Sequence, residues 1–157
     1  MEINSCTIPS FSVIGKEGST NDGPNFVQAL WEDANSHFHE VVDLALKDEK
    51  GNILGIWGLM SDISRSFKPW QENFTKGLYL AGVQVDHDTT APEGWVKWTT
   101  PSYEYLYVKV EGDYKESFDT VLAYMDNNEY KLAGAVFDYN CPEENGQLYL
   151  FFPVKVL

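Results

Sequence analysis

The order of patterns along this chain constrains its fold more than any other feature: an extended apolar run, a helical stripe and two more extended runs, and then the same order again. In the first copy, residues 11–16 read as a strand. A polar stretch, 17–23, follows, in which Asn21 or Asp22 can cap a helix with Pro24 in its first turn. Phe26, Leu30, Phe38, Val41, Val42 and Ala45 then recur at helical spacing, which predicts one long helix ending before Lys50-Gly51-Asn52. Residues 53–60 and 77–85 read as strands, joined by a polar connection that carries Phe67, Trp70 and Phe74. In the second copy, 95–99 is a short strand and 103–111 is β-branched and aromatic throughout. Gly112-Asp113 opens a helix with Phe118, Val121, Leu122 and Met125 as its stripe, and 134–139 and 147–156 are the last strands. Each helix has one apolar stripe and needs a sheet face to cover. The expectation is a single α+β domain over 1–157. Its two strand-helix-strand-strand units, about 11–87 and 94–156, form antiparallel sheets with one long helix each and a central ligand cleft between them.

Charge narrows the partners. The 157 residues carry 24 acidic and 11 basic side chains, a formal −13 at pH 7. Such a chain repels phosphate backbones and anionic membranes, so direct nucleic-acid binding is not expected, and cationic or neutral partners are favoured. No stretch reaches the ~18–20 apolar residues of a membrane span. Met1-Glu2-Ile3-Asn4-Ser5 has neither the basic nor the apolar region of a secretory signal. Cys6 and Cys141 form no Cys-x-x-Cys pair. A cytoplasmic protein with reduced thiols is the expectation.

Nucleotide-binding glycine loops and the Gly-x-Ser-x-Gly elbow are missing from the sequence. His37 and His39, two apart on a helix, fall on different faces, and Asp86-His87-Asp88 sits in a polar loop, so no metal or other cofactor is expected. Five Trp, nine Tyr and nine Phe accompany carboxylates placed on strands. By alternation Tyr103, Tyr105 and Tyr107 share one face of their strand, and Glu104, Leu106 and Val108 the other. Asp138 shares a face with Val136, while Phe137 and Tyr139 point the opposite way. A carboxylate facing a cleft costs several kcal/mol to desolvate unless it is paired, and a cationic ligand could supply that pair. Aromatic walls would add cation–π attraction. Both acids also have plain readings: Glu104 as a solvated or backbone-bonded group, Asp138 as a cap for the turn at Pro142.

These residues resemble, in order and spacing, the GyrI-like small-molecule-binding domains, the effector-binding domains of AraC-type and MerR-type transcription regulators. Phe11-Ser12-Val13-Ile14-Gly15 resembles the family's opening strand, "F-x-V-x-G". The run from Gly77 to Val85 resembles "Y-x-x-G-V-x-V", Pro92-Glu93-Gly94-Trp95 resembles "P-x-G-[MFW]", and Tyr105-Leu106-Tyr107 resembles "Y-A-x-F". The run from Tyr149 to Lys155 resembles "E-[LI]-x-I-P-V-K", with Tyr149 where the family has its acid. The resemblance implies duplicated strand-helix-strand-strand (SHS2) modules that hold cationic, aromatic compounds against stacked rings and a buried acid. In the multidrug-binding members that acid lies on the penultimate strand shortly before a proline. Asp138, four residues before Pro142, takes that place one methylene shorter than the usual Glu. The first strand begins near residue 11, so a stand-alone ligand domain is expected, without the regulators' helix-turn-helix.

The leading expectation is therefore a stand-alone effector or multidrug-binding protein for lipophilic, aromatic, cationic small molecules. Its counter-charges would be Glu104 and Asp138, and its walls Trp57, Tyr79, Trp95, Tyr107, Tyr139 and Phe151, each of which also fits ordinary core packing. The alternative, which the resemblance implies through stand-alone relatives that hydrolyse electrophilic, cyclopropanoid-type compounds, is such a hydrolase with Glu104 and Tyr107 as the acid–base and tyrosine pair. A third reading, also implied by the resemblance, is an acidic protein that meets gyrase by mimicking the charge of DNA; a separate regulator would be the other protein partner.

Overall fold

The β-branched and aromatic runs assemble into one antiparallel sheet. A computed structural model describes all residues, 1–157, and contains eight strands: β1 (Asn4–Ile8), β2 (Ser12–Ser19), β3 (Ile56–Ser61), β4 (Leu78–Val85), β5 (Val96–Thr99), β6 (Tyr103–Lys109), β7 (Phe137–Cys141) and β8 (Gln147–Val156). Two helices, α1 (Phe26–Ser36) and α3 (Tyr114–Asn127), flank a short turn, α2 (Gln71–Phe74). The strand order is β1-β6-β8-β7-β3-β4-β2-β5. The fold is thus α+β, and β2-α1-β3-β4 is followed by β6-α3-β7-β8 in the same order. The halves join where β3 pairs β7, with Ile56, Trp57 and Gly58 opposite Asn140, Tyr139 and Asp138. The edge strands are exchanged: β1, which the sequence patterns did not suggest, pairs with β6, and β5 pairs with β2. Each end of the sheet is therefore closed by a strand from the other half of the chain.

Alternation sends side chains to two different cores. On one face Tyr79, Ala81 and Val83 pack under α1 through Ala34. On the same face Leu106, Val136, Leu150 and Phe152 pack under α3 through Val121 and Met125. No helix covers the other face, yet Val13, Trp57, Leu59, Tyr105 and Phe137 are buried there. The segment after β3 contributes to that cover: Phe67 sets its ring edge-on to Trp98 and Phe137 at 5.8 and 6.2 Å, and its carbonyl accepts the Ala135 N–H.

The first helix is shorter than its apolar stripe predicts. It ends at Ser36, residues Phe38–Glu40 form a 3-10 turn, and Ala45 bridges Val85 beside the sheet. Phe38, Val41 and Ala45 still pack against the helix-side core, so the burial expected of them is present on a backbone that is not helical. The paired valines disfavour a further helical turn, and the backbone bond from Leu46 N–H to the Gln84 carbonyl takes the chain into an extended path instead.

The connection from β3 to β4 is polar but ordered. Asp62, 4% exposed, accepts from the Ser61 and Ser64 hydroxyls and from the Ser66 and Lys68 amides. Burial alone would raise its carboxyl, but these donors outweigh it and hold the group below the usual aspartate range. Asp62→Ala should cost about 2–3 kcal/mol in urea unfolding, because four donors lose a charged acceptor. The wild-type contribution is complete above about pH 4 and fades as the pH falls further, through the lowered folded pKa. A loss under 0.5 kcal/mol would show that the segment does not depend on this acid. A second change should have the opposite sign. The Tyr105 hydroxyl is buried without a hydrogen-bond partner, so Tyr105→Phe should stabilise the fold by about 1 kcal/mol, and a drop in thermal midpoint would contradict this.

Candidate functional site

Asp138 occupies the middle of the sheet, on β7 beside the junction with β3. Its neighbour Phe137 points into the helix-free core, so the pleat turns Asp138 toward the helices. There its Oδ2 accepts from the Tyr79 hydroxyl at 2.7 Å and its Oδ1 from the Tyr114 hydroxyl at 2.8 Å. The Tyr79 oxygen in turn accepts from the Trp31 indole N–H at 3.1 Å. The four residues come from β7, β4, α3 and α1, so both halves of the chain build the network. Glycine at position 58 makes room for it: a Cβ there would lie 1.8 Å from the Tyr79 hydroxyl oxygen.

No basic group balances this acid. Asp138 is 7% exposed, and none of the ion pairs includes it. Burial pushes its carboxyl up to about 6, against the lowering effect of the two phenols that donate to it. Burial and the nearby carboxylate push Tyr79 and Tyr114 well above the ordinary phenol range, so both remain donors at neutral pH. The fold thus holds a negative charge in its interior with hydrogen bonds but without a counter-ion, which is a costly arrangement.

An apolar cavity of about 520 Å³ adjoins this network, bordered by β3, the start of α3, and α2. Met60, Trp70, Phe74, Tyr114, Phe118 and Val136 are among the residues of its wall. Phe74 sits edge-on to Phe118 at 5.4 Å, which joins the β3–β4 connection to α3 in the cavity wall. Its backbone, with Glu72 and Asn73, is left-handed, a conformation that costs roughly 1–2 kcal/mol per non-glycine residue. Trp70 is fixed by its indole bond to the Leu78 carbonyl at 2.9 Å. At the rim Lys115 and Asp119 pair with each other at 2.9 Å. Tyr114 stands between cavity and acid: its side chain is part of the wall and its hydroxyl touches Asp138.

The sheet separates the residues that the sequence had grouped. Asp138 and Tyr79 lie together on the helix side. Trp95 is on that side too, but in a different place. Its indole donates to Glu40 at 2.8 Å, Lys16 lies over its ring at 4.3 Å, and it borders only a small hollow of about 100 Å³ beneath α1. Trp57, Tyr107, Tyr139 and Phe151 lie on the opposite, helix-free side, in contact with one another. Glu104 is partly exposed, opposite Thr7 and Lys155, and does not border the cavity beside Tyr114. It is three residues from Tyr107 on β6, so the two point to opposite faces and do not converge. Sequence reasoning missed Tyr114, Trp70, Phe74 and Phe118 as wall residues. A tyrosine directly after the helix cap Asp113 is the one local sign that α3 could begin on a site.

An eight-stranded antiparallel sheet made of two strand-helix-strand-strand units is a fold that this chain shares with several solved structures, consistent with a GyrI-like domain. Among solved structures, SAV2435 bound to tetraphenylphosphonium is 20% identical, with a TM-score of 0.65, over 99% of this chain and 94% of that one. The C-terminal domain of EcmrR is 13% identical, with a TM-score of 0.65, over 99% and 98%. A hydrolase from Listeria innocua is 11% identical, with a TM-score of 0.56, over 98% and 92%. No family model and no curated protein matches the sequence. At these identities the likeness is one of fold. No helix is long and apolar enough to cross a membrane.

Proposed function

We propose that this protein binds lipophilic aromatic cations in the cavity beside Tyr114, with Asp138 as the buried counter-charge. The observation that carries this reading is a carboxylate kept in the interior without a basic partner, one phenol away from an apolar, ring-lined space of about 520 Å³. That volume is within the usual range of small-molecule sites, about 300–1,000 Å³. Met60, Trp70 and Phe118 would supply apolar contact, and the ring faces cation–π attraction of roughly 0.5–2 kcal/mol each. Asp138 would act through its field across the Tyr114 hydroxyl, or directly if that side chain turns aside.

The ligand bound to SAV2435 is itself a tetra-aryl cation, which supports the choice of chemistry here. Binding is preferred to hydrolysis because the acid and tyrosine expected to act together, Glu104 and Tyr107, occupy opposite faces of β6. Titration calorimetry with tetraphenylphosphonium and with uncharged triphenylphosphine oxide tests the proposal. The cation should bind at least tenfold more tightly. Equal affinities would remove Asp138 from the role of counter-charge.

A further inference from the structure

The helix-free face carries a second recess that shares no wall residue with the cavity beside Tyr114. It is an open groove of about 330 Å³ between β1, β6, β7 and β8. Four rings from three strands form its wall. Phe151 stacks on Tyr107 with centroids 5.1 Å apart and planes 14° from parallel. Tyr139 meets Phe151 edge-on at 6.0 Å, and Tyr149 lies beside Tyr107 and Tyr139 at 6.5 and 6.4 Å. The three tyrosines keep part of their surface in solvent. Cys6 and Ile8 on β1 close the far side.

One charged group borders this groove, Glu144, in the 3-10 turn after β7. The Tyr149 hydroxyl donates to it, lying 3.0 Å from Oε1 and 2.9 Å from Oε2. The Cys141 thiol and the Tyr149 hydroxyl hold its carboxyl below the usual glutamate range. Lys109, whose field adds to that lowering, is not within ion-pair distance. Phe151 is buried behind Tyr107, so the tyrosine rings left partly in solvent offer the apolar contact surface, and the carboxylate held beside them by Tyr149 is not neutralised by any side chain. This combination complements a flat ring system bearing a fixed positive charge: the exposed tyrosine rings take the ring by stacking, and Glu144 takes the charge. An anion of the same shape would meet Glu144 and a chain of net charge −13.

We propose that the partly exposed rings of Tyr107, Tyr139 and Tyr149 and Glu144 form a second binding site, for planar aromatic cations such as N-alkylated quinolinium or acridinium rings. The site is distinct from the cavity beside Asp138 in location, shape and counter-charge. It is the more open of the two, and its acid stays ionised at pH values where Asp138 takes up a proton.

Calorimetry with N-methylquinolinium separates the two sites when it is carried out in the Asp138→Asn variant, with circular dichroism to verify the fold. In that background one equivalent should still bind. Adding Glu144→Gln, a change at an exposed position, should weaken it at least tenfold, and 1-methylnaphthalene, the neutral analogue, should bind equally well with either side chain. Tyr107→Ala should abolish both by removing the ring of the stacked pair that is left partly in solvent. Three outcomes would overturn the proposal: no binding in the Asp138→Asn background, unchanged affinity after Glu144→Gln, or equal binding of naphthalene-2-sulfonate. Loss of tetraphenylphosphonium binding to the wild type has no bearing on this groove, so the two proposals fail independently.

Discussion

Asp138→Asn is expected to weaken tetraphenylphosphonium binding about 30- to 100-fold while making the protein more stable at neutral pH. The binding estimate follows from a unit charge about 6–8 Å from the carboxylate at an effective dielectric near 20, which is roughly 2–3 kcal/mol. The stability estimate follows from linkage. Burial raises the folded pKa of Asp138 from 3.8 to about 6, so the native state holds an additional proton between those values. Stability therefore falls as the pH rises from about 4 to about 6, by up to ~3 kcal/mol, and stays at the lower level above that. Asparagine removes the charge. It can accept from one tyrosine and donate to the other, although these neutral bonds are weaker than the charged ones they replace. A net gain of about 1–2 kcal/mol at pH 7, vanishing below pH 4, is expected from urea unfolding at several pH values.

The same proton controls affinity. A cation that needs the ionised acid should bind about tenfold more weakly at pH 5 than at pH 7, and the uncharged phosphine oxide should show no such change. A group that lowers stability and raises affinity is what a binding role for Asp138 requires. If Asp138→Asn destabilised the fold at pH 7 and left cation affinity unchanged, Asp138 would be a structural acid and nothing more.

Gly58→Ala is expected to lower stability by about 4 kcal/mol, although it adds one methyl group in a strand. The new Cβ would lie 1.8 Å from the Tyr79 hydroxyl oxygen and 3.2 Å from the Cβ of Asp138. Tyr79 is 1% exposed and its hydroxyl is held by Asp138 and Trp31. Overpacking of this kind costs about 1–3 kcal/mol. Withdrawing the hydroxyl from a buried carboxylate adds about 1.5–3 kcal/mol. For a chain of this length the thermal midpoint should fall by about 10 °C. Tyr79→Phe removes the colliding oxygen, so the double variant should be clearly more stable than the sum of the two single losses predicts. A Gly58→Ala protein within 1 kcal/mol of wild type would mean that Tyr79 is not locked against this strand.

Strand positions and side-chain parity were readable because they are local properties. The stripe Tyr103, Tyr105, Tyr107 does share one face of β6, and Leu106 and Val108 share the other. The first helix was over-extended for a related reason. Apolar spacing records which positions are buried, and Phe38, Val41 and Ala45 are packed inward on a 3-10 turn and an isolated bridge as well as they would be on a helix. The wall residues were grouped incorrectly because parity within one strand says nothing about parity in its neighbours. Trp57 and Tyr79 both looked like cleft rings, but the pairing of β3 with β4 and β7 places them on opposite sides of the sheet. Tyr114 and Glu144 escaped notice because neither belongs to a strand pattern.

Alternating hydrophobicity, turn residues and the carboxylate before Pro142 were enough to establish an antiparallel α+β chain, the repeated unit, and Asp138 as a residue to question. Those features follow from contacts within a few residues, where chain geometry leaves little choice. Which rings surround that acid, that it lacks a counter-ion, and that a second aromatic face lies behind it depend on register between strands and on the exchange of β1 and β5. Such pairings join residues tens of positions apart, and they are selected by how whole faces fit together.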